Sequence, residues 1–281
     1  MLAITQSESD LILSEAASRL TDSNLGYFSK PFRINFRNSE LMLKKYYPVR
    51  NPDIVSKILQ NHERYISALS SIGIRVPDTI IRSVKIKGKY QIFILQEAFR
   101  KDEMLRTRFE NSPEDELPKL CKLIYDDVQK FLTYPKVSMD IGFHPTLRNY
   151  ALHNDTLFFF DTFPPMLMKQ RDLNRIIIRM SPYGSFFKVF IPERFINLVT
   201  DEYYNFEKMF IGITGSCCRL RPENANAILD FSTGYINNST CSPEVKQNIT
   251  RMLKTPPELP GIWTFIRKLS GNVGKPNIKK L

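Results

Sequence analysis

The chain is poor in the residues that build metal sites and disulfide frameworks. It has three histidines (His62, His144, His153) and four cysteines (Cys121, Cys217, Cys218, Cys241) in 281 residues. No Cys-x-x-Cys pair occurs, and the adjacent Cys217 and Cys218 are badly placed for a mutual disulfide. A zinc site is therefore not expected, and reduced, buried thiols in a cytoplasmic protein fit best. The opening MLAITQSESD lacks a basic n-region and carries acids early, so no secretory leader is read there. No apolar run approaches the length of a membrane span, so stable insertion is not expected. The sequons at Asn237, Asn238 and Asn248 carry no weight in a cytoplasmic chain. Internal repeats and low-complexity blocks are also absent. Acids are outnumbered: 29 Asp and Glu stand against 40 Lys and Arg, a net charge of +11. That balance favours an anionic partner without choosing one. Nucleic acid is not the expected partner, because no stripe of clustered basic and aromatic residues appears.

What is present is enough apolar residue, 42% of the chain, for a packed core. The length suits one large domain or two lobes around a cleft. From Phe32 to Tyr47 the text reads as two short strands, FRINF and ELMLKKYY, joined at Asn38-Ser39. A helix comes next, capped by Asn51 with Pro52 in its first turn. Ile54, Val55, Ile58, Leu59, Tyr65, Ile66 and Leu69 recur along it at helical spacing, and Gly73 closes it. TIIRSVKIKGKYQIFILQEAF then alternates and turns at Lys87-Gly88-Lys89, a hairpin.

The texture changes after a charged stretch between Phe99 and Pro113. Leu117, Leu120, Cys121, Ile124, Val128 and Phe131 form one face of an amphipathic helix. A second hairpin is read from NYAL and TLFFFD, turning at His153-Asn154-Asp155. After Pro164-Pro165 the chain reads mostly helical, with ERFINLVTDEYYNFEKMF as a single helix. In GSCCRLRP, buried structural thiols are read ahead of reactive ones. The last residues, IWTFIRKLSGNVGKPNIKKL, read as a terminal helix packing Trp263 and Phe265, with a basic tail.

This order, with polar residues at the element ends, resembles the protein-kinase-like fold, and most closely its aminoglycoside phosphotransferase and choline kinase branch. The resemblance covers roughly Leu25 to Pro165. It implies an α+β protein with a small antiparallel β N-lobe and a mainly helical C-lobe. The divisions are a helical extension at 1–24, the β-rich lobe at 25–100, and the helical lobe with its catalytic-loop hairpin at 101–281. It also implies ATP and magnesium as cofactors and a small-molecule hydroxyl as acceptor. Lys44 matches the phosphate-contacting lysine of the third strand, and Lys44 and Lys45 must face opposite ways. Glu63, four residues after Leu59 and three before Ile66, matches the helix glutamate that pairs with that lysine. Gln96 and Glu97 stand where strand leads into the interlobe hinge, whose backbone binds the adenine edge. Asn149 and Asp161 match the two metal ligands, one before and one after the hairpin; magnesium takes such oxygens and fills its other positions with phosphate and water.

Three departures bear on catalysis. The family's catalytic aspartate lies five residues before the asparagine, and that position is His144. Asp140 lies nine residues before it. On the alternative register set by Phe-His-Pro, the aspartate would stand near Gly142. Asp140 in an expanded loop, His144 as proton acceptor, and no base at all are the three options, with Asp140 ranked first and the absence of a base next. Asp161-Thr162-Phe163 replaces Asp-Phe-Gly, and Pro164-Pro165 stiffens the segment beyond it. Gly26 is the only glycine before the first strands, so no glycine-rich phosphate loop is present. The competing reading is a pseudokinase, a nucleotide-binding or scaffolding module without turnover.

Overall fold

The computed structural model describes residues 4–18, 29–37, 39–46, 48–132, 140–180 and 193–258. Gly26, Asn38 and the Trp263–Phe265 segment lie outside them. Among the described residues the fold is α+β: one small antiparallel sheet, one two-stranded hairpin, and a mostly helical remainder.

The sheet holds β1 (Ser29–Phe36), β2 (Ser39–Tyr46), β3 (Thr79–Ile86) and β4 (Lys89–Glu97) in the order β1-β2-β4-β3. The β3–β4 hairpin turns on Lys87 and Gly88, both with positive φ (47° and 75°), and the second position is a glycine, as such turns favour. Alternation gives the sheet two covered faces. Leu41, Leu43, Phe93 and Leu95 pack against Leu13 and Ala16 of α1 (Gln6–Ser18). Tyr46, Ile81, Ile92 and Ile94 pack against Val55 and Ile58 of α2 (Pro52–Ser71) and against Phe163.

The ends of α2 follow from local chemistry. Asn51 Oδ1 accepts from the amides of Asp53 and Ile54 at 2.8 and 3.3 Å, and Pro52, having no amide proton to satisfy, opens the helix. At the other end Gly73 takes φ 80°, and the Ile74 amide reaches back to Leu69 O at 3.0 Å. The buried face of α2 is Val55, Ile58, His62, Tyr65, Ala68 and Leu69. Glu63 lies outside that face and is exposed, while Leu59 and Ile66 sit half-buried at its edges.

The charged stretch after β4 contains a short helix that its composition did not announce, α3 (Leu105–Asn111), which buries Leu105 and Phe109. All six apolar residues expected on one face of α4 (Leu117–Phe131) are buried. The second hairpin, β5 (Tyr150–His153) with β6 (Thr156–Phe159), turns on Asn154 and Asp155, both left-handed at φ 46° and 56°. That conformation suits the short polar side chains found there.

Beyond Pro165 come α5 (Gln170–Met180), α6 (Glu193–Tyr204), α7 (Phe206–Leu220), α8 (Ala225–Asn237) and α9 (Pro243–Met252). The single helix read across 193–210 is two, because Asn205 is an N-cap: its Oδ1 accepts from the Lys208 amide at 3.0 Å. Helix α7 packs on α4, α6, α8 and α9, and Tyr125 of α4 spends its hydroxyl on Thr214 and Ser232 at 3.0 and 2.7 Å. Cys121, Cys217 and Cys218 are buried free thiols in this core, and burial pushes the Cys217 thiol well above its ordinary range.

Candidate functional site

The site lies where β2, α2 and the β5–β6 hairpin meet. Lys44 pairs with Ile94 across the sheet, so it projects from the α2-facing side, and Lys45 opposite Phe93 projects from the other. Lys44 is only 7% exposed. Its Nζ donates to Phe160 O at 2.6 Å, across 116 positions of sequence, and lies 4.9 Å from the Phe160 ring centroid. Burial pulls this ammonium down to about 8, and the nearby Asp161 carboxylate offsets part of the effect.

Asp161 lies just past β6 and is half-buried. Burial raises its carboxyl above the ordinary range, and the Lys44 charge pulls the other way. Asn149 closes the 3-10 turn Leu147–Asn149 before β5, at the same end of the hairpin. The Phe160 amide donates to Asn149 O at 3.0 Å, which ties the chain on either side of the hairpin together. The Asn149 side chain is anchored at one end only: Nδ2 donates to His144 O at 2.9 Å, and Oδ1 makes no hydrogen bond among the described residues. The order Lys44, Asn149, Asp161 read from sequence is thus brought together in space through Phe160.

Glu63 is not part of this constellation. It points to solvent, and His62 occupies the inward position one residue earlier. His62 Nε2 and Thr162 Oγ1 are hydrogen-bonded at 2.8 Å, and each residue is 1% exposed. Burial and the Lys44 charge drive the imidazole down to about 3, so it is neutral.

Gln96 and Glu97, expected at a hinge, are the last residues of β4 and pair with β2 through Met42 and Leu41. Glu97 is exposed. Gln96 is buried on the same sheet face as Lys44, and its orientation is fixed by its neighbour. The Thr79 hydroxyl donates to Pro77 O at 2.7 Å, so it accepts from Gln96 Nε2 at 2.9 Å, and Gln96 Oε1 is left buried without a partner. The connection after β4 is held by Arg33, which donates to Phe99 O at 2.5 Å, and by His153 Nδ1, 2.7 Å from buried Glu103.

The loop from Asp140 to Asn149 is tied down on both sides. Gly142 N donates to Met166 O and Phe143 N to Tyr203 O, both at 2.7 Å, and Tyr65 of α2 donates its hydroxyl to Gly142 O at 2.9 Å. Gly142 has no room for a side chain: a Cβ there would stand 2.9 Å from Met166 Cβ and from Tyr204 Cζ. An aspartate on that register is therefore excluded by packing. Asp140 is exposed at the loop's start, and its charge helps burial push the Tyr204 phenol above its ordinary range. His144 is half-buried with its ring 4.4 Å from that of Tyr203, and burial draws its imidazole down to about 4.

The donors fit a hard cation better than a soft one. Asn149 Oδ1 and Asp161 offer two oxygens, one neutral and one charged, which suits magnesium completed by phosphate and water. Among the described residues no group of three or more His, Cys, Asp or Glu stands ready to hold a metal by itself, and none of the described helices is long and apolar enough to cross a membrane.

An α+β chain with a buried lysine, an anchored asparagine and a strand-end aspartate at one junction is the class that fold and site define. The chain belongs to DUF6206, a family of unknown function, whose model matches residues 9–274. No curated protein matches it.

Sequence reasoning missed His62, Thr162, Gly142 and Tyr204. The signal for His62 was available: it lies four residues after Ile58 and three before Tyr65, both fully buried. Tyr204 and Gly142 meet only through tertiary packing, which leaves no local signature.

Proposed function

We propose that this chain is a divergent, two-lobed protein of the kinase-like fold that binds a magnesium nucleotide and moves its γ-phosphoryl group to a small-molecule hydroxyl. The sheet with α1 and α2 is the smaller lobe and the helical remainder the larger. One observation carries the reading: Lys44 Nζ is held on Phe160 O, directly beside Asp161 and one backbone hydrogen bond from Asn149. Lys44 would bind the nucleotide phosphates as a point charge. Asn149 Oδ1 and the Asp161 carboxylate would hold magnesium, which supplies charge neutralisation on the transferring phosphoryl group. The low-dielectric surroundings that raise the Asp161 pKa in the free protein also strengthen its hold on a cation. Asp140 is the first choice to take the acceptor proton and His144 the second.

A second reading, nucleotide binding without turnover, is favoured by the packing at Gly142 and by the low pKa of His144. Both facts leave the position facing the phosphate without a strong base.

Thermal shift tests the shared part. Magnesium and ATP raise the melting temperature of the wild type, and Asp161→Ala removes the shift. No shift with any magnesium nucleotide would remove both readings. Turnover over a panel of hydroxyl acceptors then separates them. Asp140→Asn lowers it by about 10²-fold or more if Asp140 is the base. If His144 is the acceptor, His144→Gln is the damaging change, and activity falls as the pH drops through about 4. Binding without measurable turnover selects the second reading.

A further inference from the structure

Asp161 sits between two residues that are each tied to a different element. On its N-terminal side, Phe160 O is held by Lys44 of β2 at 2.6 Å. On its C-terminal side, Thr162 Oγ1 is held by His62 of α2 at 2.8 Å. The next ring, Phe163, packs on Tyr46 of β2 with centroids 3.8 Å apart. The carboxylate's backbone is thus pinned from the sheet and from the helix at once.

His62 and Thr162 are both almost wholly buried. Neither can turn to water for its hydrogen bond, so each depends on the other. The pairing also settles what α2 contributes to the site. Its one exposed candidate, Glu63, points away, and its inward polar group addresses the segment carrying Asp161, not Lys44. The charge that helps hold Lys44 in place is then Asp161 itself, which makes the placement of that carboxylate matter twice.

We propose that His62 is a positioning residue of the magnesium-nucleotide site: through Thr162 it fixes the backbone that presents Asp161, and so makes the seating of α2 a determinant of metal affinity. This rests on the magnesium-nucleotide reading above. Groups that orient a metal's ligands from behind typically matter by 10–100-fold in metal affinity, and the test is built on that scale.

The measurement is calorimetric titration of the full chain with magnesium-ATP. His62→Leu and Thr162→Val each weaken binding by about 10-fold or more. His62→Gln, whose terminal amide can either donate to or accept from the Thr162 hydroxyl, stays close to wild type. The double variant His62→Leu/Thr162→Val is no worse than the weaker single, because both remove one shared interaction. Should His62→Leu fail to fold, Thr162→Val keeps the test open, since it removes only a hydroxyl. Variants that melt lower yet bind magnesium-ATP like the wild type would show a purely structural pair and overturn the proposal while leaving the nucleotide site standing. A wild type that binds no magnesium-ATP would remove the site itself, and the positioning role with it.

Discussion

An ammonium buried with one carbonyl and one neighbouring carboxylate is a costly residue to keep, and Lys44 shows that cost. Its pKa falls from 10.5 to about 8, with burial as the main cause. The unfolded chain therefore holds more proton than the folded one between about pH 8 and 10.5. Stability of the wild type rises with pH across that window; the penalty is complete below it and gone above it. On the pKa scale the penalty is on the order of 3 kcal/mol, reduced by about 1 kcal/mol for the hydrogen bond to Phe160 O that a replacement loses. Lys44→Met keeps the stem and removes the charge. We expect it to be more stable than the wild type near pH 7 and to lose that advantage between pH 8 and 10.5. Buried Tyr65 and Tyr150, both held well above the ordinary phenol range by burial, pull stability down above pH 10 in both proteins, so the difference between the two is the quantity to read. Urea denaturation from pH 7 to 10 decides it. A gap that does not change with pH, or a variant less stable throughout, contradicts the assignment.

Among the elements, the loop from Asp140 to Asn149 behaves as a packed piece. Tyr65 from α2, Met166 from the segment after Asp161, and Tyr203 and Tyr204 from α6 all bear on it. Gly142 is needed there for closeness of approach, since a methyl would meet Met166 Cβ and Tyr204 Cζ at 2.9 Å. Gly142→Ala should cost about 1–3 kcal/mol, the range for overpacking, and Gly142→Asp should cost more and create no turnover. A Gly142→Ala protein with an unchanged urea midpoint would mean the contact relaxes freely. The elements themselves were largely legible. The two hairpins, the Asn51 cap, the face of α4 and the opposite facing of Lys44 and Lys45 all follow from alternation, turn chemistry and helical spacing; the choice of Lys44 between the two rests on the kinase resemblance. What failed was phase. A stripe drawn along α2 through Leu59 and Ile66 runs through its half-buried edges. That phase puts Glu63 inward and passes over His62, although the fully buried Ile58 and Tyr65 fix the opposite one. The break at Asn205 is hidden for a related reason: the apolar spacing runs through it, and only the cap's hydrogen bond reveals two helices.

In the whole molecule, α2 belongs to two cores. Its first half gives Val55 and Ile58 to the sheet's core, with Ile81, Ile92, Ile94 and Phe163. Its second half gives Tyr65, Ala68 and Leu69 to the large core of α3, α4, the hairpin and α7. Ile176 of α5 lies against both. The sheet cannot lose α2 without exposing apolar surface on each side, and the helical part cannot release it without losing Tyr65 from the loop at Gly142. At about 25 cal/mol per Å² of apolar surface, neither half can shed that helix cheaply. We therefore expect the described parts to unfold together despite a chain length at which separate steps are common. Hydrogen exchange in graded urea measures this directly, by comparing amides of β3 and β4 with those of α4 and α7. The two sets should share one opening free energy and one urea dependence. A sheet that opens at clearly lower urea, with α4 and α7 still protected, would show that α2 docks on the helical core alone and that the junction holding Lys44 against Phe160 is a weak seam.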